Sequence, residues 1–117
     1  MTIKEIYDLL GADYDGVVAR MCGEARVIKF VPKFLADPTY NDLLEGFATE
    51  NWELAFRAAH TMKGVCSNFG FTKLQNSSSD LCEMLRPGVY NPDGAAQLEI
   101  VKADYQAVAD ALAKLDA

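Results

Sequence analysis

Apolar residues recur at alternating steps of three and four along much of this chain, the period of an amphipathic α-helix. The two longest seams are Trp52, Ala55, Ala59, Met62, Cys66 and Phe69, and Leu98, Val101, Tyr105, Val108, Leu112 and Leu115. No segment shows the sustained two-residue alternation of a β-strand. The pattern therefore predicts an all-α protein.

Shorter apolar stripes predict three further helices. One carries Leu43, Leu44 and Phe47, and the next carries Leu74, Ser78, Leu81 and Leu85. A third stripe, between residues 24 and 36, consists of Val27, Ile28, Val31, Phe34 and Leu35. Pro32 lies inside it, so we expect a bend or a break there.

Capping and stop signals set the expected helix boundaries. Thr2–Glu5 and Thr72–Gln75 have the spacing of capping boxes, and Asn51 and Thr39 are candidate N-caps. The remaining signals are Gly11, Gly70 and Pro87-Gly88 as stops, and Asn91 as a cap followed by Pro92. Long amphipathic helices joined by short loops pack as antiparallel neighbours. The prediction is an antiparallel four-helix bundle with one or two short extra N-terminal helices, in a single domain over residues 1–117.

Composition agrees with one folded domain and excludes several functions. Half of the 117 residues are hydrophobic, which is enough for a core. The net charge of -6 argues against binding to a nucleic-acid backbone, and no apolar run approaches the roughly 18–20 residues of a membrane span. Charges at the N-terminus argue against a signal peptide, so we expect a cytoplasmic protein without membrane partners.

The three cysteines form no CxxC pair, and the chain has one histidine. This set matches no recognisable metal-ligand pattern, so we expect no metal site. We expect the cysteines to be small buried residues in a reducing compartment.

The candidate chemistry surrounds His60, the only histidine. His60 lies one residue off the apolar seam, and Lys63, Gly64 and Ser67 follow it at i+3, i+4 and i+7, so the four share one helix face. A glycine inside a helix costs about 1 kcal/mol relative to alanine, and its missing side chain clears space beside the imidazole. The Lys63 ammonium would stabilise a phosphoryl group attached to the ring.

Charge is segregated around this histidine. Residues 54–79 contain no Asp or Glu, but they contain Arg57, Lys63 and Lys73. An acidic protein that keeps a basic zone around its single His indicates an anion-accepting patch.

The segment His60-Thr61-Met62-Lys63-Gly64, with Gly70 six residues after Gly64, resembles the motif of histidine-containing phosphotransfer (HPt) domains. Ala59 before it and residues 71–74 after it also fit. The resemblance covers most of the chain, because the bundle pattern agrees on both sides of the motif.

The resemblance implies a carrier function and not an enzyme. His60 would accept a phosphoryl group on Nε2 from a phospho-aspartate of a receiver domain and pass it to another receiver. The implied partners are response-regulator receivers and a hybrid sensor histidine kinase. The chain would need no cofactor of its own, since the receiver would supply Mg²⁺, and we expect a monomer.

The resemblance also suggests supporting groups, with one departure. In many family members a Gln or Glu on the next helix accepts the Nδ1 proton of the histidine. Ser79 and Cys82 stand at or near that position here, and either could hold the His60 ring. Ser67 could donate to a phosphate oxygen, and Arg86 could contact the phosphate or an acidic rim of the receiver.

Receiver docking would use apolar surface near the site. Phe56, one turn before His60, and Phe71, at the turn after the helix, are the aromatic candidates, and Arg57 and Gly70 complete the expected docking surface. A core position for each aromatic residue is the competing interpretation.

Three other classes of function explain less of the sequence. A helical interaction or adaptor bundle with an incidental histidine explains the helices but leaves Lys63, Gly64 and the acid-free stretch as coincidence. A His-dependent hydrolase lacks a carboxylate spaced to support His60, and a thiol redox protein lacks a cysteine pair. The phospho-accepting domain of a chemotaxis-type kinase would bring ATP-binding and dimerisation domains, which this chain does not contain.

Overall fold

A computed structural model describes residues 1–116, which form seven α-helices and one 3-10 helix and no β-strand. The elements are α1 (Ile3–Leu9), α2 (Tyr14–Arg20), α3 (Glu24–Phe30), the 3-10 helix (Val31–Ala36), α4 (Thr39–Ala48), α5 (Trp52–Phe69), α6 (Thr72–Leu85) and α7 (Gly94–Leu112). The all-helical prediction is confirmed.

Helices α4 to α7 form the bundle. α5 packs against both α4 and α6, and α6 packs against α7. Tyr40 of α4 stacks on Tyr105 of α7 with ring centroids 3.7 Å apart, so the first and last helices of the bundle also meet. The predicted seams face this core: Ala55, Met62 and Cys66 of α5 are all buried.

The segment before the bundle holds three short α-helices and the 3-10 helix, more than the one or two short helices expected. It packs on the turn between α5 and α6. The Tyr7 hydroxyl donates a hydrogen bond to the Phe69 carbonyl oxygen (2.7 Å), and the Tyr7 ring stacks on Phe71. The ring centroids of Phe34 and Phe71 lie 5.1 Å apart. These aromatic contacts join the N-terminal segment to the bundle core.

The expected break at Pro32 is confirmed, but the stripe that contains it was partly wrong. Val27, Val31 and Phe34 are buried, whereas Ile28 and Leu35 are 47% and 40% exposed. The chain changes from α to 3-10 geometry at residue 31, and the change of period rotates the later positions about the axis. A single α-helical stripe therefore does not continue through it.

Two capping predictions are confirmed. The Asn51 side chain accepts from the backbone N–H of Leu54, and Thr2 and Glu5 form the reciprocal capping box. Gly70 ends α5 in the left-handed conformation, as expected.

Three capping predictions were wrong. Thr39 is the first residue of α4, and its N–H donates to Asp37 Oδ1 (2.8 Å). Thr72 lies inside α6 and its hydroxyl donates back to the Gly70 carbonyl, so no capping box forms. Asn91 accepts from the N–H of Asp93, a turn that ends before α7 begins. In each case the residue forms its hydrogen bond with a group of the adjacent loop and not with the first turn of the helix.

The cysteine prediction holds for two of three residues. Cys66 and Cys82 are buried, but Cys22 is exposed in the turn after α2, where its φ of 63° is left-handed. Within residues 1–116, no helix is both long enough and apolar enough to cross a membrane.

Candidate functional site

His60 lies in the middle of α5, on the side that borders the buried seam. Its side chain is exposed, and so are Gly64 and Ser67, whereas Lys63 is partly buried. The helix therefore places these four residues on one face, as their spacing predicted.

Open space surrounds Gly64. A Cβ added at Gly64 would meet no atom within 4 Å, although the residue lies in the interior of an 18-residue helix. Gly46 of α4 is the opposite case, since a Cβ there would lie 2.7 Å from the Ala55 backbone nitrogen. Gly64 is thus not required by packing within the protein, and its effect is to leave a bare patch of helix one turn from the imidazole.

Helix α6 brings a thiol to the His60 ring. Cys82 Sγ lies 3.9 Å from His60 Nδ1, and Cys82 itself is fully buried. Burial raises the pKa of the Cys82 thiol, which keeps it protonated near neutral pH. Of the two candidates for holding the ring, the structure brings Cys82 to Nδ1, whereas Ser79 lies one turn earlier on α6.

An aromatic and cationic stack extends from the histidine. The Phe56 ring lies 6.2 Å from the His60 ring at an interplanar angle of 23°, and the Arg86 guanidinium lies over Phe56 at 5.4 Å. Both oxygens of the Glu83 carboxylate accept hydrogen bonds from Arg86, at 3.1 and 2.7 Å. These bonds lower the pKa of Glu83 and keep the carboxylate ionised beside the guanidinium.

The anion-accepting patch is narrower than the sequence indicated. Arg57 pairs with Glu53 at 4.0 Å, and Lys73 pairs with Asp104 of α7 at 3.7 Å. Among the described residues, Lys63 is the only cation of the acid-free stretch outside an ion pair. The positive charge available to a ligand of His60 is therefore mainly that of Lys63.

Two carboxylates, which pair with the cations Lys73 and Arg86, were missed in the sequence. Asp104 belongs to α7, and no local sequence signal pairs it with Lys73. Glu83 stands three residues before Arg86, so the i, i+3 spacing could have predicted their ion pair.

Two expected docking residues are placed elsewhere. Phe71 is 2% exposed, because Tyr7 and Phe34 pack against its ring, so the core interpretation is correct. Gly70 is buried against Val17, whose Cγ2 an added Cβ would overlap, so it serves the turn and the packing of α2. Phe56 remains partly exposed beside His60, and Arg57 is exposed on the same helix.

Comparison with known proteins gives the family. The family model "Hpt domain" matches residues 36–117, which is most of the chain and includes all four bundle helices. No curated protein and no solved structure matched. The chain belongs to the Hpt domain family. Hpt domains are phosphoryl carriers, not enzymes, and they perform histidine phosphotransfer in the phosphorelays of two-component signal transduction.

Proposed function

We propose that His60 is the phospho-accepting residue of this chain, which carries a phosphoryl group between receiver domains. The observation that carries the proposal is the exposed imidazole of the only histidine, beside the bare helix surface at Gly64 and the Lys63 ammonium. Membership of the Hpt family supplies the reaction class.

The reaction needs one particular tautomer of His60. The Nε2 lone pair attacks the phosphorus of an aspartyl phosphate, the N–P bond forms, and the P–O bond to the aspartate breaks, which releases a carboxylate. Nδ1 must carry the ring proton for Nε2 to have that lone pair. The reverse reaction on a second receiver breaks the N–P bond and returns the neutral imidazole.

The neighbouring groups have different roles in this proposal. Lys63 neutralises charge on the phosphoryl oxygens, and Ser67 on the same face donates a hydrogen bond to one of them. Cys82 lies against Nδ1 and orients the ring. Arg86 is held by Glu83 beside Phe56, so it faces the receiver surface around the site more than the phosphoryl group.

The partners follow from the reaction. An aspartyl-phosphate receiver, including one attached to a hybrid sensor histidine kinase, is the donor, and a second receiver is the acceptor. Mg²⁺ held by the receiver would neutralise the transferring group, and this chain would need no cofactor of its own. Among residues 1–116, no group of three or more His, Cys, Asp or Glu side chains is placed to hold a metal ion. We propose a cytoplasmic monomer.

Chemical phosphorylation tests the site without a partner. Phosphoramidate should place an acid-labile, base-stable phosphoryl group on the folded chain, and ³¹P NMR should assign it to Nε2. His60→Gln should abolish the modification. Lys63→Ala should slow it severalfold, whereas Lys73→Ala, which removes a lysine already paired with Asp104, should not.

Receiver transfer is the second measurement. A labelled, phosphorylated receiver should transfer its label to the unchanged chain and not to His60→Gln. A folded chain that phosphoramidate does not modify, and that takes no label from any receiver of its organism, would identify the adaptor bundle as the correct function.

A further inference from the structure

We propose that an aromatic strip beside His60 is the surface that docks the receiver domain and selects it. The strip extends from His60 along α5 and α6 to the loop before α7. Its residues are Trp52, Phe56, Arg86, Val89 and Tyr90. The inference rests on the proposed function and adds to it a binding surface and the chemistry of its partner.

The strip is continuous with the site. Phe56 stacks beside His60, and Arg86 covers Phe56. One further turn along α5, the Trp52 ring lies 5.7 Å from the ring of Tyr90. The Phe56–Arg86 pair joins α5 to the C-terminal end of α6, and the Trp52–Tyr90 pair joins α5 to the loop that follows it, so the surface advances one helical turn at a time away from the histidine.

The far end of the strip is exposed and yet held in place. Val89 and Tyr90 are 59% and 63% exposed, the highest values for large hydrophobic residues in the described chain. The loop turns at a left-handed Gly88 (φ 73°), and it is held by the Asn91 side chain, which donates to the Met84 carbonyl (3.3 Å), and by the contact between Trp52 and Tyr90. A fixed loop that presents two apolar side chains to solvent is typical of a recognition surface.

An interface of the size of a transient complex, centred on His60, is large enough to reach the strip. Transient protein interfaces bury up to about 1,200 Å² in total, and half of that area corresponds to a patch of about 14 Å radius. Trp52 lies eight residues before His60, which is about 12 Å along the helix axis. A receiver centred on His60 that extends in this direction therefore covers Trp52 and Tyr90.

Along α5 and α6, the opposite direction offers no comparable apolar surface. Beyond His60 toward the α5–α6 turn, the exposed side chains are polar and include Ser67, Asn68, Thr72 and Asn76. Trp, Tyr and Arg are the residues that most often dominate interface energetics, and the strip has one of each. The apolar contacts of the receiver should therefore fall on the side of α5 where the strip lies.

The charges of the strip favour a protein partner over a membrane. Glu83 neutralises Arg86, and residues 83–93 contain two acidic groups against one basic group. Anionic lipid surfaces attract clusters of unpaired lysine and arginine, which this surface lacks. We therefore infer that the partner presents an apolar helix or loop next to its phosphorylated aspartate.

The test separates docking from chemistry. The probe is a phosphorylated receiver domain from the same organism, chosen because it transfers label to the unchanged chain. The double variant Val89→Ser with Tyr90→Ala should lower kcat/KM for this transfer at least tenfold, because docking is lost. Modification by phosphoramidate, which needs no docking surface, should stay within twofold of the unchanged chain.

Ile100→Ala is the matched control, because Ile100 is also an exposed apolar residue (52%) but lies on α7 outside the strip. Its transfer rate should be unchanged. Trp52 is the only tryptophan, so a single ¹⁹F resonance of 5-fluorotryptophan should shift when the receiver is added.

The outcomes distinguish the two proposals. If the double variant transfers as fast as Ile100→Ala and the ¹⁹F signal does not move, the docking proposal is wrong and His60 can still be the carrier. If no receiver transfers label and phosphoramidate does not modify His60, the proposed function itself is wrong.

Discussion

The ring nitrogen of His60 that must hold a proton faces a thiol. A carboxylate or carboxamide oxygen beside Nδ1 would accept a hydrogen bond from the Nδ1–H group. This bond would stabilise the tautomer in which the Nε2 lone pair is free to react. A neutral thiol is only a weak acceptor, and its S–H can also donate to Nδ1, which favours the unreactive tautomer with the proton on Nε2. With Sγ at 3.9 Å, Cys82 therefore orients the ring without fixing its tautomer.

Substitution of Cys82 should change reactivity through that tautomer. Cys82→Gln provides an amide oxygen that accepts a hydrogen bond from Nδ1–H, and we expect phosphoramidate modification of His60 to become severalfold faster. Cys82→Ala removes only a weak contact and should change the rate less than threefold. Long-range ¹H–¹⁵N spectra of the imidazole should show more Nδ1–H tautomer in the glutamine variant. A loss of reactivity in Cys82→Ala as large as that in His60→Gln would contradict this role.

Gly64 and Gly46 should respond to alanine with opposite signs. A Cβ at Gly64 enters open space, so Gly64→Ala should raise the free energy of unfolding by about 0.5–1 kcal/mol through helix propensity alone. A Cβ at Gly46 lies 2.7–2.9 Å from Ala55 atoms, and Gly46→Ala should lower it by about 1–3 kcal/mol. Urea unfolding measures both.

The Gly64 variant should also separate stability from function. Because its added methyl covers the bare surface beside His60, transfer from a phosphorylated receiver should slow although the protein is more stable. A Gly64→Ala chain that transfers at the original rate would show that the receiver does not approach this surface.

At the scale of elements, the long apolar seams were predictable, whereas only some of the local caps were. The α5 seam and the short turn at Gly70 together place α6 antiparallel to α5, and this was enough to predict Ser79 and Cys82 as the candidates opposite His60; the choice of Cys82 came from the structure. Thr39 and Thr72 failed as caps because a choice between adjacent hydrogen-bond partners is worth only about 1 kcal/mol and depends on the loop. The exposure of Leu35 follows from the change to 3-10 geometry at residue 31, which periodicity does not encode.

The packing of α2 on the α5–α6 turn can be measured with two glycines. Gly70 and Gly88 share a φ of 73°, so alanine at either one costs about 1–2 kcal/mol of backbone strain. Only at Gly70 would the Cβ also overlap Val17, whereas at Gly88 it meets nothing within 4 Å. Gly70→Ala should therefore lower the free energy of unfolding by at least about 1 kcal/mol more than Gly88→Ala. If the two variants lost the same free energy of unfolding in chemical denaturation, α2 would accommodate the added methyl group at no cost.

At the scale of the whole molecule, the N-terminal helices and the bundle share one core. The family match begins at residue 36, but Tyr7, Val17 and Phe34 before it are buried together with Phe71 and Val108 after it. The aromatic side chains of this shared core surround the turn that ends α5. The N-terminal segment thus supports the C-terminal end of the helix that presents His60.

The core makes the stability of the whole molecule sensitive to alkaline pH. Burial raises the pKa of the Cys66 thiol to about 12 and, with the nearby Glu24 carboxylate, that of Tyr14 to about 12, and burial also raises the pKa of Tyr7. Between the ordinary thiol pKa of 9.0 and about 12, the unfolded chain releases a proton that folded Cys66 retains. The unfolded state then binds fewer protons, so the free energy of unfolding falls as the pH rises through this window, by up to about 1.4 kcal/mol per pH unit for each such group.

Urea unfolding between pH 8 and pH 11 measures this slope. The unchanged chain should lose stability steadily above pH 9. Cys66→Ala should be less stable at pH 8, because it removes buried volume. Above pH 9, however, its free energy of unfolding should fall less steeply with pH, by at most the contribution of one titrating group, about 1.4 kcal/mol per pH unit. Cys22→Ala, which removes an exposed thiol instead of the buried one, is the matched control. Parallel slopes for the two cysteine variants would show that the buried thiol does not drive the alkaline loss, and the buried tyrosines would then be the groups to replace.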